Sequence, residues 1–190
     1  GNALEVQEAV QVMQGHGPAD VRRLSVQLAT QVLVDSAACA DPVAATARCE
    51  RLLESGAVYD RFLRMVSAQG GDHRLPLQFA PVTELTAAWD GFVQQIQAEQ
   101  LGYAVIAMGG GRQRAADVID HSVGLEMLVR IGDRVTAGQP LVRLYCHDPQ
   151  AVGQQVLASL VLSESPVLEP LPLIHSRLTM LDHQFVQQAG

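Results

Sequence analysis

Residues Gly102 to Cys146 read GYAVIAMGGGRQRAADVIDHSVGLEMLVRIGDRVTAGQPLVRLYC, and this stretch holds the densest glycine punctuation and the clearest strands of the chain. A short apolar segment, Tyr103 to Met108, runs into three consecutive glycines, where the backbone can take a positive φ without a Cβ penalty. Arg112 to Asp120 is a loop with four charges. Val123, Leu125, Leu128 and Val129, mixed with Glu126 and Arg130, then read as a part-buried strand. Gly132-Asp133 and Gly138-Gln139-Pro140 turn the chain twice, and Leu141 to Tyr145 alternates in period two. The pattern predicts a compact β module.

The run GDRVTAGQPL resembles the turn, strand and turn of barrel-sandwich or hammerhead domains, to which biotinyl and lipoyl carriers also belong. A carrier requires a lysine to modify. All 13 positive side chains of this chain are arginine, so a swinging-arm carrier is excluded.

Outside the module, 48% hydrophobic content over 190 residues is enough for a buried core in one or two domains. Aromatics are 4% of the chain, so that core must be built from Ala, Val and Leu. A net charge of -7 without a basic cluster longer than Arg22-Arg23 argues against nucleic acid and anionic membrane surfaces as partners. No apolar run approaches the roughly 20 residues of a membrane span. Cys39, Cys49 and Cys146 fall on separate elements without a C-x-x-C pair, which suggests neither zinc nor a disulfide framework and fits a reducing, cytoplasmic compartment. The opening Gly-Asn-Ala-Leu-Glu-Val has neither an initiator Met nor a signal peptide, and it leads us to expect a piece of a longer chain.

Helical spacing dominates the first 70 residues. Leu4, Val6, Ala9, Val10 and Met13 form one stripe behind Asn2 as an N-cap. A second helix, starting at Pro18 or Asp20, carries Val21, Leu24, Leu28, Val32 and Leu33 and is expected to be largely buried. Asp41-Pro42 opens a third helix to Glu54, and a fourth ends at Gly70-Gly71. Between Gly70 and Pro81 the composition shifts to Gly, Asp, His, Arg and Pro, marking the expected domain boundary. Thr83 to Ala88 and Gly91 to Ile96 read as strands and Ala98 to Met108 as a helix. Asp148-Pro149 caps a last helix carrying Val152, Val156, Leu157, Leu160 and Val161, and the tail from Ser165 reads as strand and coil.

Few constellations point to chemistry. Gly109-Gly110-Gly111-Arg112 offers backbone N–H groups and a guanidinium to an anion, yet it lacks the G-K-[ST] of a P-loop and the strand-turn-helix setting of a dinucleotide site. A structural turn is the preferred reading. His16, His73, His121, His147, His175 and His183 show no i, i+4 pair, which disfavours a metal cluster. Asp120, His121 and Ser122 have the residue types of a catalytic triad, but sequence neighbours seldom converge on one another. Glu5 and Glu8, three apart, share a face of the first helix. That face is ordinarily solvated, although a carboxylate there could give an oxygen to a hard cation otherwise held by backbone carbonyls.

Two blocks carry a family resemblance. GNALEVQEAVQVMQGHGPADV resembles the G-N-A-L-E-V-x-E-A segment of the thymidine and pyrimidine-nucleoside phosphorylase family, and GYAVIAMGGGRQRAADVIDHSVGL resembles that family's C-terminal domain. With GDRVTAGQPL, the likeness covers nearly the whole chain in the right order. It implies an α+β architecture: residues 1–72 are a helical segment from the end of the large phosphorylase α/β domain, and residues 73–190 an α/β-hammerhead-like, barrel-sandwich type C-terminal domain. The implied activity is reversible phosphorolysis of thymidine to thymine and 2-deoxyribose 1-phosphate, with pyrimidine nucleoside and phosphate as partners, no organic cofactor, and a homodimeric enzyme. The family's phosphate-binding K-x-S-G-G segment and its base-binding Arg, Ser and Lys have no counterpart in these residues, so the resemblance implies that they are catalytically silent by themselves, the alternatives being part of a pyrimidine-nucleoside phosphorylase of broader base choice or a stand-alone non-catalytic binding module. One site position carries over: Glu8 matches the family's side-chain ligand to a structural monovalent cation.

Overall fold

The computed structural model describes residues 2–167, 172–181 and 184–189. Its elements, in chain order, are α1 (Ala3–Met13), α2 (Ala19–Asp35), α3 (Pro42–Glu54), α4 (Ala57–Ala68), β1 (Val82–Thr86), β2 (Gly91–Ile96), α5 (Ala98–Val105) with a π turn (Ile106–Gly110), β3 (Gly124–Met127), β4 (Arg134–Val135), β5 (Pro140–Tyr145), α6 (Pro149–Ala158), β6 (Leu160–Ser163), β7 (Ser176–Leu181) and β8 (Gln184–Ala189). The chain is α+β, with antiparallel sheets ordered β1-β5-β3 and β4-β2-β6 and a β7-β8 hairpin. It divides into two compact units, one made of Gly1–Gln7 and Leu77–Leu171, the other of Glu8–Pro76 and Pro172–Gly190.

The helical unit follows its sequence signals closely. The Asp41 carboxylate accepts the Ala44 N–H at 2.8 Å with Pro42 in the first turn, as an N-cap must to satisfy an otherwise orphaned donor. Gly56, at φ 76°, lets α3 turn directly into α4. Along α2, Arg22, Val26 and Thr30 are spaced at i, i+4 and face α3: Arg22 pairs with Glu50, and the Thr30 and Thr46 hydroxyls lie 3.1 Å apart. That orientation overturns the expectation of a largely buried α2. Leu28 lies about 200° round the helix from Val26, and Leu28 and Val32 remain 55% and 65% exposed. Of the stripe read from the sequence, Leu28 and Val32 point away from the helix that packs on α2, while Leu33, seven residues on from Val26, returns to the packed side.

The other unit holds a continuous core. Val93 of β2, Val135 of β4, Val142 and Leu144 of β5 and Val156 of α6 are fully buried there, with Leu101 and Ala104 of α5 packed among them. In β5 the register places Arg143 opposite both Glu84 of β1 and Glu126 of β3, and the guanidinium reaches the two carboxylates at 3.1 and 3.4 Å. Cross-strand pairing of this kind favours one register over its neighbours. The last helix is shorter than its apolar spacing predicts. Ser159 ends α6, its hydroxyl donating to the Val156 carbonyl at 2.6 Å, and Leu160 and Val161 pair with Ile96 and Gln95 as strand β6. A partner strand overrides local periodicity there.

The glycine stop is a packed structure. Gly109 has φ 91°, in the region that penalises a Cβ. A Cβ at Gly110 would lie 2.8 Å from a methyl of Val105 and 3.0 Å from one of Val123, and at Gly111 2.7 Å from Cγ1 of Ile106. Three glycines in a row thus meet one conformational and two steric requirements. Gly102, inside α5, has nothing within 4 Å of its Cβ position. In urea titrations Gly110→Ala is therefore expected to lose about 1–3 kcal/mol of stability. Gly102→Ala is expected to gain about 0.5–1 kcal/mol from helix propensity. The opposite order of midpoints would contradict this packing.

Candidate functional site

The residues with chemical potential that the fold brings together lie where β3 begins and β5 ends. Gly124 pairs with Tyr145 at the end of the antiparallel β3-β5 ladder, and Ser122 and His147 each lie two residues beyond that pair. Asp120 sits between them. Its Oδ1 accepts the Ser122 hydroxyl at 2.6 Å and the Ser122 N–H at 2.9 Å, while Oδ2 lies 3.1 Å from His147 Nε2. The Ser122 hydrogen bonds, with a smaller contribution from His147, hold the Asp120 carboxyl below the ordinary aspartate range.

This group is not a nucleophilic triad. In such a triad the base takes the serine proton and the carboxylate orients the base. Here the carboxylate stands in the middle and the serine hydroxyl donates to it, which leaves Ser122 without a base to activate it. His121, the neighbour that suggested a triad in the sequence, is exposed and contributes its carbonyl to the Ala3 N–H at 3.2 Å. The arrangement ties chain segments together instead. Ser122 also takes the Ala80 N–H on its carbonyl at 3.0 Å, and the Asp120 N–H donates to the Gly109 carbonyl at 2.9 Å.

The anion-cradle reading of Gly109 to Arg112 finds no support. The space beside Gly110 and Gly111 is filled by Val105, Val123 and Ile106, and Arg112 is exposed in the following bend. Asn2, expected to cap α1 with its side-chain oxygen, has φ 56° and donates its amide to the Gly110 carbonyl at 2.9 Å.

Glu8 lies on α1, half-buried, with Glu5 exposed one turn earlier. Hard cations take six or more oxygens, and among the described residues no group of three or more His, Cys, Asp or Glu side chains could hold a metal ion. Glu8 offers one carboxylate. The histidines are dispersed: His16, His73, His121, His147 and His175 are exposed on separate segments, and His183 lies outside the described residues. Cys39, Cys49 and Cys146 are free thiols. In the helical unit a notch of about 280 Å³ is lined by Val12, Met13, Leu53, Tyr59 and Arg22 among others, and Arg22 already pairs with Glu50.

Residues 92–160, from β2 to the first residue of β6, match the family model of the pyrimidine nucleoside phosphorylase C-terminal domain. This part of the chain is similar to that domain. The chain is also similar to the thymidine phosphorylase of Burkholderia lata, 41% identical over 164 residues that make up 82% of this chain and 37% of the relative. Against the thymidine phosphorylase of Burkholderia cenocepacia strain HI2424 it is 38% identical over the same shares. With that of strain J2315 it is 40% identical over 158 residues, 78% of this chain and 36% of the relative. The chain spans little more than a third of the length of these curated phosphorylases. The matched domain contains the Asp120, Ser122 and His147 junction in full.

Asp120 gives the junction a pH signature. Its carboxyl titrates lower in the folded chain than in the unfolded one, so its stabilisation is complete above the unfolded aspartate value of about 3.9 and is lost as pH falls through the lower folded value. Urea midpoints should therefore decline more steeply below about pH 4 in the parent chain than in Asp120→Asn, with Ser122→Ala intermediate. Parallel acid limbs for all three would show that the Ser122 hydrogen bonds do not hold the carboxylate.

Proposed function

We propose that this chain serves as the C-terminal, non-catalytic part of a thymidine phosphorylase, the enzyme that converts thymidine and phosphate to thymine and 2-deoxyribose 1-phosphate. The observation that carries the reading is the match of 78 to 82% of the chain, at 38 to 41% identity, to proteins of that name. In this reading residues 1–72 finish the large phosphorylase domain and residues 73–190 form the C-terminal domain. Together they scaffold one side of the cleft and take part in its closure as a body. The parent works as a cytoplasmic homodimeric pentosyltransferase of pyrimidine salvage and catabolism.

The chemistry of the side chains supports a scaffolding role. Phosphoryl and nucleobase recognition draws on positioned cationic groups, and the chain has no lysine. Of its arginines, Arg22 and Arg143 are engaged by carboxylates within the fold. The exposed Leu28 and Val32 on α2 are suited to cover by the rest of the large domain, since exposed apolar patches tend to mark contact surfaces. Glu8 is proposed as one ligand of a structural monovalent cation whose remaining oxygens come from outside this chain. Inorganic phosphate is the co-substrate.

A second reading keeps the same role in a pyrimidine-nucleoside phosphorylase of broader base choice, which the name of the matching domain model favours. The test is a complementation assay. The 190 residues, alone and mixed with the preceding portion of a Burkholderia thymidine phosphorylase, are offered thymidine or uridine with phosphate, and free base is measured. Silence alone and activity well above that of the preceding portion in the mixture are expected, and turnover of uridine as well as thymidine would select the second reading. Turnover by the chain alone, or a mixture no more active than the preceding portion, would sink the proposal. In an active mixture Glu8→Gln should weaken the response to added potassium and leave the apparent KM for thymidine nearly unchanged.

A further inference from the structure

The end of α5 poses a problem of hydrogen-bond supply. The last turn of any helix leaves carbonyls without intrahelical donors, and here the last residues are glycines, which bring no side chains of their own. Helices that end in glycine commonly cap these carbonyls with the next backbone N–H groups in line. This one draws two donors from far away. The Gly109 carbonyl is met by the Asp120 N–H at 2.9 Å, and the Gly110 carbonyl by the Asn2 side-chain amide at 2.9 Å across 108 residues of sequence.

The same few residues connect the start of α1 in return. The Ala3 N–H, one of the orphaned donors at the first turn of α1, is taken by the His121 carbonyl at 3.2 Å. The donor-rich end of α1 and the acceptor-rich end of α5 thus satisfy each other through Asn2, Asp120 and His121, all within the unit of Gly1–Gln7 and Leu77–Leu171. Asn2 pays for this with a left-handed backbone at φ 56°, a conformation that Asn tolerates better than most residues. A Cβ on Gly110 would come within 3.1 Å of the Asn2 nitrogen, so the glycine is also what lets the amide approach.

We infer that Asn2 is a positioning residue for the glycine turn: with the Asp120 N–H it fixes the end of α5, so that the shape of Gly109 to Gly111 is set by the first turn of α1. The requirement is for a hydrogen-bond donor at residue 2. An isosteric aspartate sets a carboxylate oxygen against the Gly110 carbonyl and breaks the latch as surely as alanine does. The inference stands apart from phosphorolysis, because it concerns a coupling within the chain itself.

Amide hydrogen exchange of the 190-residue chain, followed by NMR, tests it. The Asp120 amide reports on the turn, since its protection depends on the Gly109 carbonyl being in place, and the amides of β5 report on the fold as a whole. Asn2→Ala and Asn2→Asp are each expected to speed exchange at Asp120 about three- to tenfold, the range of one lost hydrogen bond, while β5 exchange changes little. Asn2→Gln, which keeps the donor on a longer arm, should fall between them and the parent chain. If Asn2→Ala does not fold, Asn2→Gln against Asn2→Asp decides alone, by protection in the first and its loss in the second. Unchanged Asp120 exchange in Asn2→Asp, or equal acceleration in β5, would overturn the inference.

Discussion

The C-terminal core is made of small side chains, and that constraint governs the rest of its architecture. Its largest fully buried residues are Leu144, several valines and Ser159, with no aromatic ring among them. A core of short side chains reaches close packing only if backbones approach closely. Glycine is the residue that permits such approach. Gly91 leaves room for the Trp89 ring and the Ser163 carbonyl, and Gly110 for Val105 and Val123. The glycines are therefore the counterpart of the valines, and the turn at the end of α5 is one instance of the same economy.

Close approach also explains why polar groups near this core are tied so thoroughly. Backbone brought up to backbone strands carbonyls and N–H groups unless each finds a partner. Asp120 supplies several at once: its N–H closes on Gly109, and its carboxylate holds the Ser122 hydroxyl and N–H and faces His147. The lowered titration of Asp120 follows from that structural duty. A perturbed carboxyl beside a serine and a histidine invites a catalytic interpretation; the order of the contacts, with the acid in the middle, argues for a fastening.

Where the sequence spoke through local chemistry, it was readable. Asp41-Pro42 and Asp148-Pro149 cap their helices as expected, Gly91 to Ile96 is a strand over its full expected length, and Gly132 and Gly138 mark the turns beside β4. What escaped depended on partners distant in sequence. The stripe on α2 gave the apolar face without saying which face α3 would cover. Leu160 and Val161 continued a helical period until pairing with β2 claimed them. Asn2 looked like a local N-cap, and its amide serves a carbonyl 108 positions away.

The Asp120 junction lies between these cases, and it shows how far a sequence argument can be pushed. The types Asp, His and Ser at 120 to 122 drew notice, but the histidine that matters is His147. It was partly within reach of inference: once Leu125 and Leu144 are accepted as facing residues of an antiparallel pair, the segments holding Ser122 and His147 fall at the same end of the β3-β5 ladder. Register, rather than proximity along the chain, brings side chains together in a β module. The conspicuous Asp-His-Ser run is a strand entrance whose middle residue is exposed and whose first residue, Asp120, binds both Ser122 and His147.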